Sequence, residues 1–172
     1  LKAHRKELID PKIAEHHGRV VKLMGDGALV EFASAVDAVS CAVEIQRKMS
    51  DRNSAIPAAQ RIVFRIGINV GDVIVEGHDI YGDGVNIASR LENMAGTGGI
   101  LLSDDAYRQV RGRIDASFED LGLRKVKNIA EPIRVYAVSL PGADTPPAAL
   151  ASGSLLPPSK PSIAVLPFTN MS

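Results

Sequence analysis

Cysteine, net charge and long apolar runs are scarce in this sequence, and each scarcity closes off a class of function. Cys41 is the one cysteine among 172 residues, so no internal disulfide can form, and a reducing, cytoplasmic setting is expected. Cys41 reads as a small buried hydrophobe rather than a reactive thiol. Lys plus Arg and Asp plus Glu each total 20. The chain therefore lacks the broad positive field that holds a polyanion, and nucleic acid is not an expected partner. No apolar run approaches the roughly 20 residues that span a bilayer, so no membrane contact is expected from this segment. The opening Leu1-Lys2-Ala3-His4-Arg5-Lys6-Glu7 reads as helix and not as a signal peptide. With no initiator Met at Leu1, the chain is expected to start inside a longer protein.

What is present suits one globular domain. Apolar residues make up 45% and charged residues 23%, values of a soluble fold with a single core. Residues 1–16 read as helix. Gly18 introduces a β-branched run to Met24, and Gly25-Asp26-Gly27 turns it into Ala28–Phe32, which predicts a β-hairpin. Ser34 with Asp37 opens a helix whose apolar stripe is Ala38, Ala42, Ile45 and Met49. Ile62, Phe64, Ile66, Ile68 and Val70 alternate as one face of a strand, and Gly71-Asp72 is read as a turn into a second hairpin through Val73–Val75. A helix is expected over 82–94 with Ile87 and Leu91 on its apolar face. A short strand over 100–102, a short helix capped by Asp104 and final strands over 118–138 complete the order. That order favours an α+β sandwich, helices over a mainly antiparallel sheet.

Six of the ten prolines fall in residues 141–161, with Ala, Ser and Gly between them. This stretch reads as a linker, which gives a domain over 1–140 and, over 162–172, the first strand of a following domain.

Two segments carry chemistry. In Asp79-Ile80-Tyr81-Gly82-Asp83-Gly84-Val85-Asn86-Ile87-Ala88-Ser89-Arg90, Asn86 and Arg90 are four apart and share a helix face. An amide with a guanidinium suits a sugar oxygen and a charged phosphoryl group. In Val20-Val21-Lys22-Leu23-Met24-Gly25-Asp26-Gly27, a carboxylate in a Gly-flanked turn suits a hard cation. Taken singly, each also reads as a solvated arginine or as a good hairpin turn. The four histidines have no partners at metal-ligand spacing and read as surface residues.

Together, in this order and context, the two segments resemble the class III nucleotidyl cyclases, the family of adenylate and guanylate cyclase catalytic domains. The likeness runs from about Leu1 to Leu140, and the run from Tyr81 to Arg90 carries it most specifically. The resemblance implies a ferredoxin-like palm that works as a head-to-tail homodimer, with sites at the interface and a lone monomer inactive. It implies ATP as substrate, closed to 3′,5′-cyclic AMP with release of pyrophosphate, and Mg²⁺ or Mn²⁺ as cofactor, two ions in the complete enzyme. Asp26 matches one of two metal-binding aspartates. Lys22 and Asp79 match the pair that reads adenine, Asn86 the residue orienting the ribose, and Arg90 the one stabilising phosphate charge. Lys127 matches, more weakly, a triphosphate contact. In homodimeric members the metal aspartates come from one subunit and the other groups from its partner.

The chain also departs from that pattern. The family's other metal aspartate lies on a strand before the first helix, and this sequence begins after it. The resemblance therefore implies a half-built metal site, a sheet lacking its first strand and very low activity for this chain alone. Two rivals are weighed. A diguanylate cyclase would need a Gly-Gly-acid-acid-Phe turn, which Gly25-Asp26-Gly27-Ala28 is not. A noncatalytic nucleotide-binding or dimerisation module of the same fold is the alternative.

Overall fold

The computed structural model describes residues 5–24, 27–77, 79–140 and 162–167. A single π-type turn, Arg5–Ile9, runs into helix α1, Asp10–Glu15. Strands β1, Gly18–Met24, and β2, Gly27–Phe32, form the expected antiparallel hairpin, with a bulge between Val20 and Lys22. Helix α2, Ala35–Ser54, starts where the Ser34 hydroxyl accepts from the Asp37 amide at 3.1 Å, satisfying one of the orphan donors of a helix start. All four residues of its expected stripe are buried.

Strand β3, Arg65–Ile68, is shorter than the alternation over 62–70 predicts. The carbonyls of Ile62 and Phe64 are taken from above, by Asn53 Nδ2 at 2.7 Å and Gln46 Nε2 at 3.0 Å. Two amide side chains of α2 thus do the work of a neighbouring strand. The expected second hairpin also differs. Strand β4, Ile74–Glu76, pairs with β5, Asp79–Tyr81, as a separate two-stranded ribbon, and not with β3. Both edges of β3 are already occupied, so β4 has no edge there to join.

Helix α3, Asp83–Met94, then leads to β6, Ile100–Ser103, and the short helix α4, Asp104–Val110. The cap of α4 is Ser103, whose Oγ accepts from the Ala106 amide, and not the expected Asp104. Ser103 has the extended backbone a cap requires, whereas Asp104 is already helical and accepts a hydrogen bond from the Tyr136 hydroxyl at 3.3 Å. Strands β7, Ser117–Arg124, and β8, Ile133–Ser139, close one edge as an antiparallel pair.

The large sheet runs β1-β2-β9-β3-β6-β8-β7, where β9 is Ser162–Pro167. It is a mixed sheet: the antiparallel pairs lie toward the two edges, and the central strands β2, β9, β3 and β6 are parallel. Where a sheet short of one strand was expected, the position between β2 and β3 is filled by β9.

Period-2 alternation sorts the faces. Val30, Phe32, Ile66, Ile68, Ile100 and Leu102 join α1, α2 and α4 in the main core. Their intervening neighbours turn the other way, Leu29 against Ala88 and Leu101 against Leu91, and so seat α3 on the opposite face. Cys41 is buried in α2, and burial pushes its thiol up to about 12, which suits a packing residue. His16 is half-buried and lies 2.9 Å from Glu44, so it is more tied down than a plain surface residue.

Candidate active site

Four of the site residues foreseen from sequence, Lys22, Asp79, Asn86 and Arg90, sit on segments joined by one small core. Leu29 of β2, Ile80 of β5 and Ala88 of α3 pack together, with Val21, Val73 and Val85 against them. Three of these six are chain neighbours of a candidate: Val21 of Lys22, Ile80 of Asp79, Val85 of Asn86. Lys22 is exposed on β1, and its Nζ stands 6.0 Å from the ring centroid of Tyr81. That approach joins the β1–β2 hairpin to the β4–β5 ribbon. Asp79 opens β5, paired across the ribbon with Glu76.

Helix α3 begins sharply. Gly82 has φ 126°, a backbone that a residue with a Cβ rarely adopts, and it directs the chain from β5 straight into the helix. Asn69, only 2% exposed, reaches from the end of β3 to donate through Nδ2 to the Gly84 carbonyl at 3.1 Å. Further along, Gly67 lies so close under the helix that a Cβ there would stand 2.3 Å from Ala88 O and Glu92 N. Arg65 then pairs with Glu92 at 3.1 Å. The helix is therefore gripped at its start, middle and last turn, all by β3 and the residue after it.

On this fixed helix Asn86 is exposed and Arg90 half-buried, one turn apart as the spacing predicts. Among the described residues the Arg90 guanidinium has no carboxylate partner. It is a permanent cation left free to meet an anion. Lys22, Asp79, Asn86 and Arg90 thus stand on β1, β5 and α3, three elements that pack on one another. Lys127 is not brought into this group by any contact described. It is exposed in the connection between β7 and β8, held by the buried Val126 beside it. Asp26 lies outside the described residues.

Asn69, Tyr81, Arg65 and Glu92 were not foreseen. Asn69 had a signal, since it is a polar residue inside a strongly apolar stretch just before Gly71-Asp72. The other three are partners only in three dimensions. Among the described residues no group of three His, Cys, Asp or Glu side chains could hold a metal ion, so these residues do not by themselves form a metal centre.

Comparison with known proteins points to one family. The model of the adenylate and guanylate cyclase catalytic domain matches residues 2–139. A Rhizobium meliloti (strain 1021) protein named "Putative adenylate cyclase 3" is 47% identical over 173 residues, covering 100% of this chain and 30% of that protein. The chain therefore spans about a third of that relative's length. Among solved structures, an adenylate/guanylate cyclase/hydrolase from Silicibacter pomeroyi superposes with a TM-score of 0.77 at 46% identity, covering 83% of each chain. The adenylyl cyclase CyaB from P. aeruginosa shares the fold, with a TM-score of 0.63 at 23% identity over 86% of this chain and 82% of its own.

Proposed function

Because the chain belongs to the adenylate and guanylate cyclase catalytic domain family, we propose that it carries the nucleotide site of an adenylate cyclase. The observation that supports this most directly is the shared core of Leu29, Ile80 and Ala88, which ties the segments bearing Lys22, Asp79, Asn86 and Arg90 to one another.

In this reading Lys22 donates to adenine N1 and Asp79 accepts from the exocyclic amine. That polarity is wrong for guanine, which presents a donor at N1 and an acceptor at O6. Asn86 orients the ribose so that its 3′-oxygen faces the α-phosphorus. The new 3′-O–P bond forms as the bond from the α-phosphorus to the bridging oxygen of pyrophosphate breaks, and the 3′-hydroxyl proton passes to solvent. Arg90 stabilises the charge that gathers on the phosphate oxygens, and Lys127 contacts the triphosphate. Asp26 is proposed as a ligand for the divalent metal that this family uses. Ser162–Pro167, the strand in the central slot, has no carboxylate, so turnover by this chain alone is expected to be very low.

A homodimer completes the reading. Leu23, Met24, Ile74 and Tyr81 are large hydrophobic residues exposed on the surface of β1 and the β4–β5 ribbon, the strands that also carry Lys22 and Asp79. A second copy covering that surface would put the sites at the interface.

Nucleotide binding tests the reading. ATP should bind at least tenfold more tightly than GTP, and Lys22→Glu with Asp79→Asn should narrow or invert that preference. Equal affinity for both nucleotides, unmoved by the double variant, would defeat the assignment of the base-reading pair. Tight ATP binding without any cyclic AMP would favour the noncatalytic module.

A further inference from the structure

Helix α3 carries Asn86 and Arg90, yet its start is built differently from those of α2 and α4. Ser34 caps α2 and Ser103 caps α4, each through a side-chain oxygen, whereas no side chain caps α3. A helix start leaves backbone groups without intrahelical partners, so an uncapped first turn tends to fray. In α3 that turn closes on the Gly82 carbonyl, which accepts from the Val85 amide at 3.2 Å and the Asn86 amide at 3.3 Å. With φ at 126°, Gly82 itself stands outside helical geometry and lends the turn no continuation.

A buried side chain from outside the helix holds this turn instead. Asn69 follows the last residue of β3, is 2% exposed, and donates from Nδ2 to the Gly84 carbonyl at 3.1 Å. The segment 69–73 runs directly beneath the turn. A Cβ on Gly84 would stand 3.1 Å from the Asp72 carbonyl oxygen and 3.6 Å from Asn69 Nδ2, and one on Gly71 would stand 3.2 Å from the same nitrogen. Two bare backbones therefore let the amide lie between the segments at hydrogen-bond distance. Burying a primary amide costs free energy unless its groups are paired. An apolar side chain would pack here without that cost, so the carbonyl that Asn69 holds explains the amide.

Asn69 lies on the side of the helix away from Asn86. Successive helical residues turn by about 100°, so Gly84 and Asn86 point about 200° apart around α3. Gly84 is buried and Asn86 is exposed. Any influence of Asn69 on Asn86 thus passes through the backbone of the first turn.

We propose that Asn69 is a positioning residue of the nucleotide site: through the Gly84 carbonyl it fixes the first turn of α3, and with it the direction from which Asn86 meets a ribose. The fastening of the turn stands on the geometry alone, while its consequence for the ribose rests on the cyclase reading.

Two measurements test this. The first is hydrogen exchange without nucleotide. Amides of Val85 and Asn86 should exchange at least tenfold more slowly than in an unpaired peptide. Asn69→Leu, which removes the donor at similar volume, should abolish that protection and leave β7–β8 unchanged. No protection in the unaltered chain, or protection that survives Asn69→Leu, would overturn the proposal. The second measurement compares affinity for ATP and for 2′,3′-dideoxy-ATP where every variant is fully folded. Asn86→Ala should reduce the preference for ATP about three- to tenfold, the worth of one hydrogen bond. Asn69→Leu should reduce it similarly, and the double variant no further. A side chain that only stabilised the fold would weaken both nucleotides alike, so a preference lost in Asn86→Ala but kept in Asn69→Leu defeats this inference alone. Additive losses in the double variant defeat it too, because Asn69 would then act elsewhere than through Asn86. If Asn69→Leu does not fold, Asn69→Ala carries both measurements. No ATP binding by any chain defeats the nucleotide reading and the positioning role together, and exchange alone then shows whether Asn69 holds the turn.

Discussion

Arg65 on β3 and Glu92 on α3 face one another at 3.1 Å, with side chains only 19% and 9% exposed. Neither the Arg65 Nε nor its paired terminal nitrogen makes a well-angled hydrogen bond, so attraction between charges, rather than a fork of hydrogen bonds, holds the contact. The pair closes the last turn of the helix that presents Asn86 and Arg90.

Removing one partner strands the other charge in a mostly dry place. Glu92→Ala is expected to cost about 2–4 kcal/mol of stability. The double variant Arg65→Met, Glu92→Leu should recover much of that loss, because two apolar groups leave nothing unpaired. Denaturant unfolding of the three variants checks this. A double variant as unstable as the single one would mean that the pair contributes specific attraction beyond its own desolvation.

Gly67→Ala tests the tightness of the platform. The added methyl would meet backbone atoms of Ala88 and Glu92, which cannot swing aside as a side chain can. The expected cost is about 1–3 kcal/mol, with α3 displaced from β3. ATP affinity should fall even in conditions where the variant is fully folded. Unchanged stability and affinity would show that the helix can shift freely.

Glu44 sets a pH dependence. A hydrogen bond from Lys12, 2.8 Å away, and then one with His16 hold its carboxyl below the ordinary carboxylate range, against a smaller opposing effect of burial. A folded-state value below the unfolded one stabilises the fold above the unfolded pKa, and that stability is lost as pH falls through the folded value. Glu44 is partly solvated, so Glu44→Gln is expected to cost only about 0.5–1 kcal/mol near neutral pH. The gap from the unaltered chain should close as pH falls through and below the carboxylate range. A gap that widens in acid would contradict this origin.

Much of this architecture was legible locally. The Ser34 cap, the stripe from Ala38 to Met49, the pairing of β1 with β2 and the shared face of Asn86 and Arg90 all rest on spacing within one element or between chain neighbours. What escaped was decided between distant segments. Asn53 and Gln46 shorten β3 by capturing its carbonyls, both edges of β3 are taken before β4 could pair there, and β9 enters a slot that no local pattern announces. The grip on α3 by Asn69, Gly67 and Arg65 likewise appears only once the helix lies on β3.

The central claim is that α3 and the segments packed on it handle ATP chemically and do not merely bind it. Long incubation of the chain with ATP and Mg²⁺ or Mn²⁺, with cyclic AMP and pyrophosphate quantified together, tests it most directly. The two products should accumulate slowly and in equal amounts, and Arg90→Ala should lower the rate about 10²-fold or to background while ATP affinity falls far less. ATP bound by a dimeric chain, with neither product rising above background, would contradict the account.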